Sequence, residues 1–182
     1  QEANLFCDWY VKNNFSKNGI KKFSKEFKKV MKKLASKLML KENVFVHRDF
    51  HVSNLMLVKK NIGVIDSQDA LFGNRAYDLA SLIDDVRLKT SKSLKKKIFN
   101  YYLKKQKKIN TYKFKNDFEI LSIMRNLKII GIFTRLAIRD GKKNYLKLIP
   151  YTWKLISMRI DENEAFKDLK NLLNQKFKKK IE

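Results

Sequence analysis

One cysteine, Cys7, stands in 182 residues. No intrachain disulfide can form from it and no cysteine-based zinc site can be built, which suits a reducing cytoplasm. Proline occurs once, at Pro150, and the five glycines are scattered at 19, 63, 73, 131 and 141. No apolar run approaches the ~20 residues of a membrane span, and no signal peptide is visible. Acidic residues are scarce: 18 Asp and Glu face 42 Lys and Arg, a net charge of +24. Such an excess suits an anionic partner, whether nucleic acid, a membrane surface or a phosphorylated ligand. Only seven of the 42 basic residues are arginine, however, and nucleic-acid readers rely on arginine for bidentate contacts. The lysines are also spread over about 12–41, 89–115 and 167–180. The excess therefore reads as lysine on solvated helix faces, and no nucleic-acid partner is favoured.

What is present is enough for one domain with a sizeable core, since 44% of the chain is hydrophobic. The chain is organised around Val44 to Asp66, VFVHRDFHVSNLMLVKKNIGVID. An apolar run, Val44-Phe45-Val46, leads into His47, Arg48 and Asp49. Four residues on comes Asn54. A second run, Leu55 to Val58, meets a Lys-Lys-Asn turn, and a third, Ile62 to Ile65, ends on Asp66. The polar residues sit where strands stop, so their side chains can converge.

Phosphoryl transfer suits this spacing. It needs a carboxylate to receive a hydroxyl proton and a metal held against phosphates. Asp49 can be the first group, and Asn54 and Asp66 offer the hard oxygens that magnesium prefers. The pattern H-R-D-x-x-x-x-N followed by a hairpin and an Asp is the kinase catalytic-loop signature. The competing reading is that Asp and Asn near strand ends are turn formers bonding their own backbone. His47 is read as structural, holding the loop so that Asp49 points correctly. His51 is also read as structural, and Asp69 as a turn residue.

Elsewhere the pattern is helical. Residues 3–16 carry Leu5, Phe6, Trp9 and Tyr10 at helical spacing, with Asn18-Gly19 as the stop. Phe23, Phe27, Val30, Met31, Leu34 and Leu38 trace a second helix to about Leu40. A helix opening at Tyr77 carries Asp78 in its first turn, where a carboxylate favours the helix dipole and can accept backbone N–H groups. Asp78 is read as a brace between this helix and the loop. Only about ten residues separate Asp66 from that helix, too few for an activation loop, and no A-P-E follows. A small-molecule kinase is thus favoured over a protein kinase. Residues 92–108 form a lysine-rich helix with Leu94, Ile98, Tyr101 and Tyr102 inward. A long helix spans 114–139 and ends at Asp140-Gly141, helices follow at 148–159 and 163–176, and Lys178-Lys179-Lys180 reads as a frayed tail.

HRDFHVSN, GVIDSQDA and YDLASLIDD together resemble the C-terminal lobe of the aminoglycoside phosphotransferase-like kinases. The segment Ile65 to Ala70 is similar to the I-D-F-Q-D-A of bacterial kinases that phosphorylate the anomeric hydroxyl of N-acetylmuramate and N-acetylglucosamine. LKIIGIFTRLAIRDGKKNY, Leu127 to Tyr145, resembles a helix end of the same group. The likeness covers essentially the whole chain. It implies Asp49 as catalytic base, Asn54 and Asp66 as magnesium ligands on the ATP phosphates, and an amino-sugar hydroxyl as acceptor. Ser67 departs from the usual Phe, which could loosen packing behind Asp66.

The resemblance also implies an N-terminal lobe with a phosphate-covering loop and a lysine for the α/β-phosphates. No Gly-rich loop is present and no strand precedes Val44. The chain opens on Gln1 within an apparent helix, so the expectation is a piece of a longer product with that lobe upstream, inactive or weak alone. The expected fold is α+β and mostly helical: a protein-kinase-like C-terminal lobe over 1–182, with the catalytic loop and metal site at 44–70 and a helical subdomain at 76–176. Two alternatives stand. One is a related kinase acting on an aminoglycoside, choline or homoserine; a polycationic aminoglycoside needs an acidic pocket, against which the charge argues. The other is a non-catalytic basic module binding nucleic acid or an acidic partner.

Overall fold

The computed structural model describes residues 3–41 and 43–181; Gln1 lies outside them. The chain begins with a helical segment over 4–14, π-helical at Phe6–Val11 and α-helical at Lys12–Asn14 (α1). Then follow α2 (Lys17–Ala35), β1 (Asn43–Val46), a 3-10 turn (Val52–Asn54), β2 (Leu55–Val58), β3 (Asn61–Val64) and β4 (Leu71–Asn74). The rest is helical: α3 (Ala76–Ile83), α4 (Lys92–Lys105), α5 (Thr111–Arg139), a 3-10 stretch (Lys143–Leu148), α6 (Ile149–Ile160), a 3-10 turn (Glu164–Phe166) and α7 (Lys167–Ile181). The fold is thus mostly helical with two small antiparallel ladders, the coarse class the sequence indicates. Among the described residues no helix is long and apolar enough to cross a membrane. The chain forms two compact units: residues up to Leu38 together with those from Ile123 on, and Met39–Ser122.

In the first unit the amphipathic faces do what their periodicity dictates. Phe23, Phe27, Met31 and Leu34 of α2 recur at helical spacing and are all buried. The ring of Phe6 sits 5.4 Å from Phe27, 5.6 Å from Phe177 and 5.9 Å from Trp153, an aromatic centre for this unit. Gly131 of α5 faces the backbone of the first helical segment so closely that an added Cβ would lie 2.3 Å from the Leu5 carbonyl. Gly141, at φ +67°, ends the helix, and the N–H groups of Asp140 and Lys142 both donate to the Leu136 carbonyl.

Several boundaries differ from the sequence reading, two of them with a clear local cause. The break after the first helix falls at Phe15 and Ser16, both extended, and Gly19 lies inside α2. Ser16 sits at the helix N-terminus and its carbonyl accepts from Ile20 N–H, so the helix starts before the Asn-Gly pair. The Lys178-Lys179-Lys180 tail is helical, because Ile181 beyond it is buried and its carbonyl accepts from Ser157 Oγ.

The second unit is built on two antiparallel ladders. β2 and β3 form a two-residue hairpin, Val58 opposite Asn61, with Lys59 at φ 56° in the turn. β1 pairs not with that hairpin but with β4, Val46 opposite Leu71 and Phe45 opposite Phe72. No strand was expected at 71–74; four residues containing Gly73 and Asn74 carry little strand signal, and the pairing with β1 makes them one. Asp117 of α5, fully buried, accepts from Met39 and Leu40 N–H and from the amides of Asn74 and Asn116, at 2.6–3.0 Å. The inward face of α4 also differs from its apolar pattern: Leu94 and Tyr101 are exposed while Lys95 is buried. Lys95 Nζ donates to the Ile83 carbonyl and to Asp84 Oδ1 at 3.1 Å, and Asp84 Oδ2 accepts from Ser122.

Candidate active site

Val46 ends β1 in the core, and the next two backbone N–H groups have no ladder partner. Both turn to one carboxylate: Asp78 accepts from His47 N–H at 2.7 Å and from Arg48 N–H at 3.0 Å. Asp78 lies in the first turn of α3, where its charge suits the helix dipole. Arg48 adopts φ 72°, a left-handed conformation that costs an ordinary residue about 1–2 kcal/mol. Hydrogen bonds to a charged acceptor contribute roughly 1.5–3 kcal/mol each, enough to offset it. Arg48 Nη1 also donates to the Asp69 carbonyl at 3.2 Å.

His47, buried, places Nε2 3.0 Å from the Ile65 carbonyl. A carbonyl can only accept, so Nε2 carries the proton. This bond ties the start of the loop to the residue before Asp66.

From Asp49 the loop closes on itself. His51 N–H donates to the Asp49 carbonyl at 3.0 Å, and Asn54 N–H to the His51 carbonyl at 2.9 Å. Asn54 is buried, and its Nδ2 lies 2.9 Å from the Asp49 carbonyl and 3.3 Å from Asp66 Oδ2. The Asn54 carbonyl accepts from Ile65 N–H at 3.1 Å, fixing the far end of β3 against the loop. Asp66 itself is exposed and left-handed at φ 70°. Its other oxygen accepts from Gln68 Nε2 at 2.6 Å. Residues 67–70 form a turn, Ala70 N–H to the Ser67 carbonyl, and Asp69 contributes its carbonyl rather than its carboxylate.

The structure thus joins His47, Asn54, Asp66 and Asp78 in one hydrogen-bonded network that also grips the backbone of Asp49, which is half-buried. Two residues outside the sequence reading belong to it. Gln68 orients Asp66, and Asp85 accepts from Val52 N–H at 3.2 Å. For Gln68 the signal was its place two residues after Asp66. For Asp85 it was an acid just past the end of the helix that Asp78 opens.

The donor set fits a magnesium ion held jointly with a nucleotide. The Asn54 amide nitrogen lies 3.3 Å from an Asp66 carboxylate oxygen, so the two side chains meet, and each carries a hard oxygen of the kind magnesium prefers. Among the described residues no group of three or more His, Cys, Asp or Glu could cage a metal alone. Magnesium is usually bound by one or two protein oxygens and completes its shell with phosphate and water.

The "Phosphotransferase enzyme family" profile matches residues 4–113. The N-acetylmuramate/N-acetylglucosamine kinase of Neisseria meningitidis serogroup B is 35% identical over 156 residues, 82% of this chain and 47% of that protein. The protein of the same name in Pseudomonas aeruginosa is 30% identical over 179 residues, 95% of this chain and 53% of its own. In Caulobacter vibrioides the protein of that name is 33% identical over 115 residues, 60% of this chain and 32% of its own. This chain therefore spans about half the length of the Neisseria and Pseudomonas relatives.

Proposed function

Because the chain belongs to the phosphotransferase enzyme family, we propose that it carries the catalytic loop of an ATP-dependent kinase of small-molecule hydroxyls. The acceptor is an N-acetyl amino sugar, N-acetylmuramate or N-acetylglucosamine, as the names of the relatives suggest, and the hydroxyl is the anomeric one that the sequence resemblance implies. Residues 44–70 are the catalytic loop and metal site, and 76–176 the helical subdomain. The observation that carries this reading is the Asn54 amide, which touches both the backbone of Asp49 and the carboxylate of Asp66.

In this mechanism Asp49 accepts a hydrogen bond from the sugar hydroxyl. The hydroxyl oxygen forms a bond to the γ-phosphorus of ATP, the bond from that phosphorus to the β,γ-bridging oxygen breaks, and ADP leaves with the electron pair. The hydroxyl proton passes to Asp49. In a loose transition state that proton leaves late, so orientation matters more than basicity. Asn54 and Asp66 hold magnesium on the ATP phosphates; when bound, the ion supplies charge neutralisation for the transferred group. His47 and Asp78 hold the loop that presents Asp49.

The test is phosphate transfer from radiolabelled ATP by the full-length protein to a panel: N-acetylmuramate, N-acetylglucosamine, kanamycin, choline and homoserine. Product identity is read by 31P NMR. The expected product is a sugar 1-phosphate. Transfer only to one of the last three acceptors, or to none, overturns the reading.

A further inference from the structure

We propose that Asp85 is a positioning residue for Asn54, acting through the turn that carries it. The Val52–Asn54 turn has a 3-10 geometry, and the first N–H groups of such a turn have no partner within it. The residue in the N-cap position, His51, supplies no side-chain cap. The cap comes instead from Asp85, 33 residues away in sequence, whose Oδ2 accepts from Val52 N–H at 3.2 Å. Asp85 is 1% exposed, and its other oxygen accepts from Arg87 N–H at 3.0 Å, with Arg87 Nη1 at 3.7 Å. Both oxygens are committed, so the carboxylate is fixed and so is the N–H it holds.

Asp85 lies seven residues beyond Asp78, just past the C-terminal end of α3 at Ile83, whereas Asp78 sits in that helix's first turn. The two acids grip the loop at its two ends: Asp78 at His47 and Arg48, Asp85 at Val52. Between these grips sits Asp49, and two residues after the second sits Asn54. Asn54 reaches Asp66 at 3.3 Å, near the limit for a hydrogen bond. A rotation of the turn that moved the amide by a fraction of an ångström would break that contact. Burying a carboxylate is costly unless it is fully hydrogen-bonded, and here one oxygen is held by Arg87 N–H while the other holds the loop that carries the candidate metal ligand. Part of the inference rests on Asn54 being that ligand; the capping of the turn does not.

Asp85→Ala, with Asp85→Asn as the isosteric variant that keeps one acceptor oxygen, separates these levels in the full-length protein. The first measurement is hydrogen exchange by mass spectrometry. Exchange at residues 52–54 rises about tenfold or more in Asp85→Ala, as expected for losing a charge-assisted bond, while residues 47–48 change little. The second is the magnesium concentration giving half-maximal transfer, which rises about tenfold, the usual effect of an outer partner of a metal ligand. KM for the sugar stays within about threefold, and Asp85→Asn lies between wild type and Asp85→Ala on both readouts. A merely structural role would lower the melting temperature without moving the magnesium midpoint. Unchanged exchange at 52–54, or an unchanged magnesium midpoint, overturns the proposal. If the wild type transfers phosphate to no acceptor, the kinase reading fails on its own. The exchange measurement still decides whether Asp85 holds the turn, and unchanged exchange there sinks it.

Discussion

The Asn54 amide nitrogen lies 3.3 Å from a carboxylate oxygen of Asp66, across a hairpin that sets them twelve positions apart in sequence. The two differ in setting. Asn54 is buried and held by backbone contacts on both sides, whereas Asp66 is exposed and can be reached by a ligand. Arg48 and Asp66, two residues of the motif, both sit at positive φ. Such conformations persist where surrounding bonds over-determine them, and here those bonds come from Asp78, Asn54 and Gln68.

Replacing Asp78 removes the acceptor of two backbone donors at once. Asp78→Ala should destabilise the protein by about 2–4 kcal/mol, since hydrogen bonds to charged groups contribute a net of roughly 1.5–3 kcal/mol each and water entering the vacated space can meet part of the loss. Urea denaturation measures this. Asp78→Asn, which keeps one acceptor oxygen, should lose less.

Lys95 and Asp84 form a buried ion pair at 3.1 Å. Breaking such a pair from one side leaves an uncompensated charge and costs about 3–5 kcal/mol. Lys95→Met should show that loss in thermal or chemical denaturation. The double variant Lys95→Met/Asp84→Asn removes the stranded charge and should recover part of it. A double variant less stable than the sum of its singles would contradict the ion-pair account.

Gly131→Ala is expected to be severe despite the better helix propensity of alanine. The new Cβ would fall 2.3 Å from Leu5 backbone atoms and 2.6 Å from Phe6 N, where no flexible side chain can yield. Overpacking against backbone should cost about 3 kcal/mol or more. A melting temperature within error of wild type would contradict the close approach.

Burial pushes the Cys7 thiol up to about 11, from an unfolded value of 9.0. The folded protein therefore holds the thiol proton more tightly than the unfolded chain. The stability this contributes is full below pH 9 and is lost as pH rises from 9 towards 11. At pH 8 the native thiol should react with a disulfide reagent only as fast as the protein opens, and rapidly in denaturant.

Much of this fold was legible because its helices follow simple periodicity. The stripe Phe23, Phe27, Met31, Leu34 is both the sequence signal and the buried face of α2. The residues of the candidate site were picked out by spacing, and the hairpin that folds Asp66 back towards Asn54 was implied by two apolar runs around a turn. What escaped was set by distant partners. β4 exists because β1 pairs with it. The face of α4 is centred on a lysine because Asp84, eleven residues earlier, needs a counter-charge. Asp85 looks like any surface acid until Val52 N–H is seen to lack a local cap. Hydrophobic patterning cannot find buried charges whose partners lie elsewhere in the chain.

The central claim is that Asp49, Asn54 and Asp66 work as one phosphoryl-transfer site. Single-turnover transfer from ATP to N-acetylmuramate or N-acetylglucosamine, compared among wild type, Asp49→Asn, Asp66→Asn and the double variant, tests it most directly. Each single variant should slow transfer by ~10²-fold or more, and the double should be little worse than the slower single, because groups acting as a unit are not additive. Near-normal transfer by Asp49→Asn, or by Asp66→Asn, would contradict the claim.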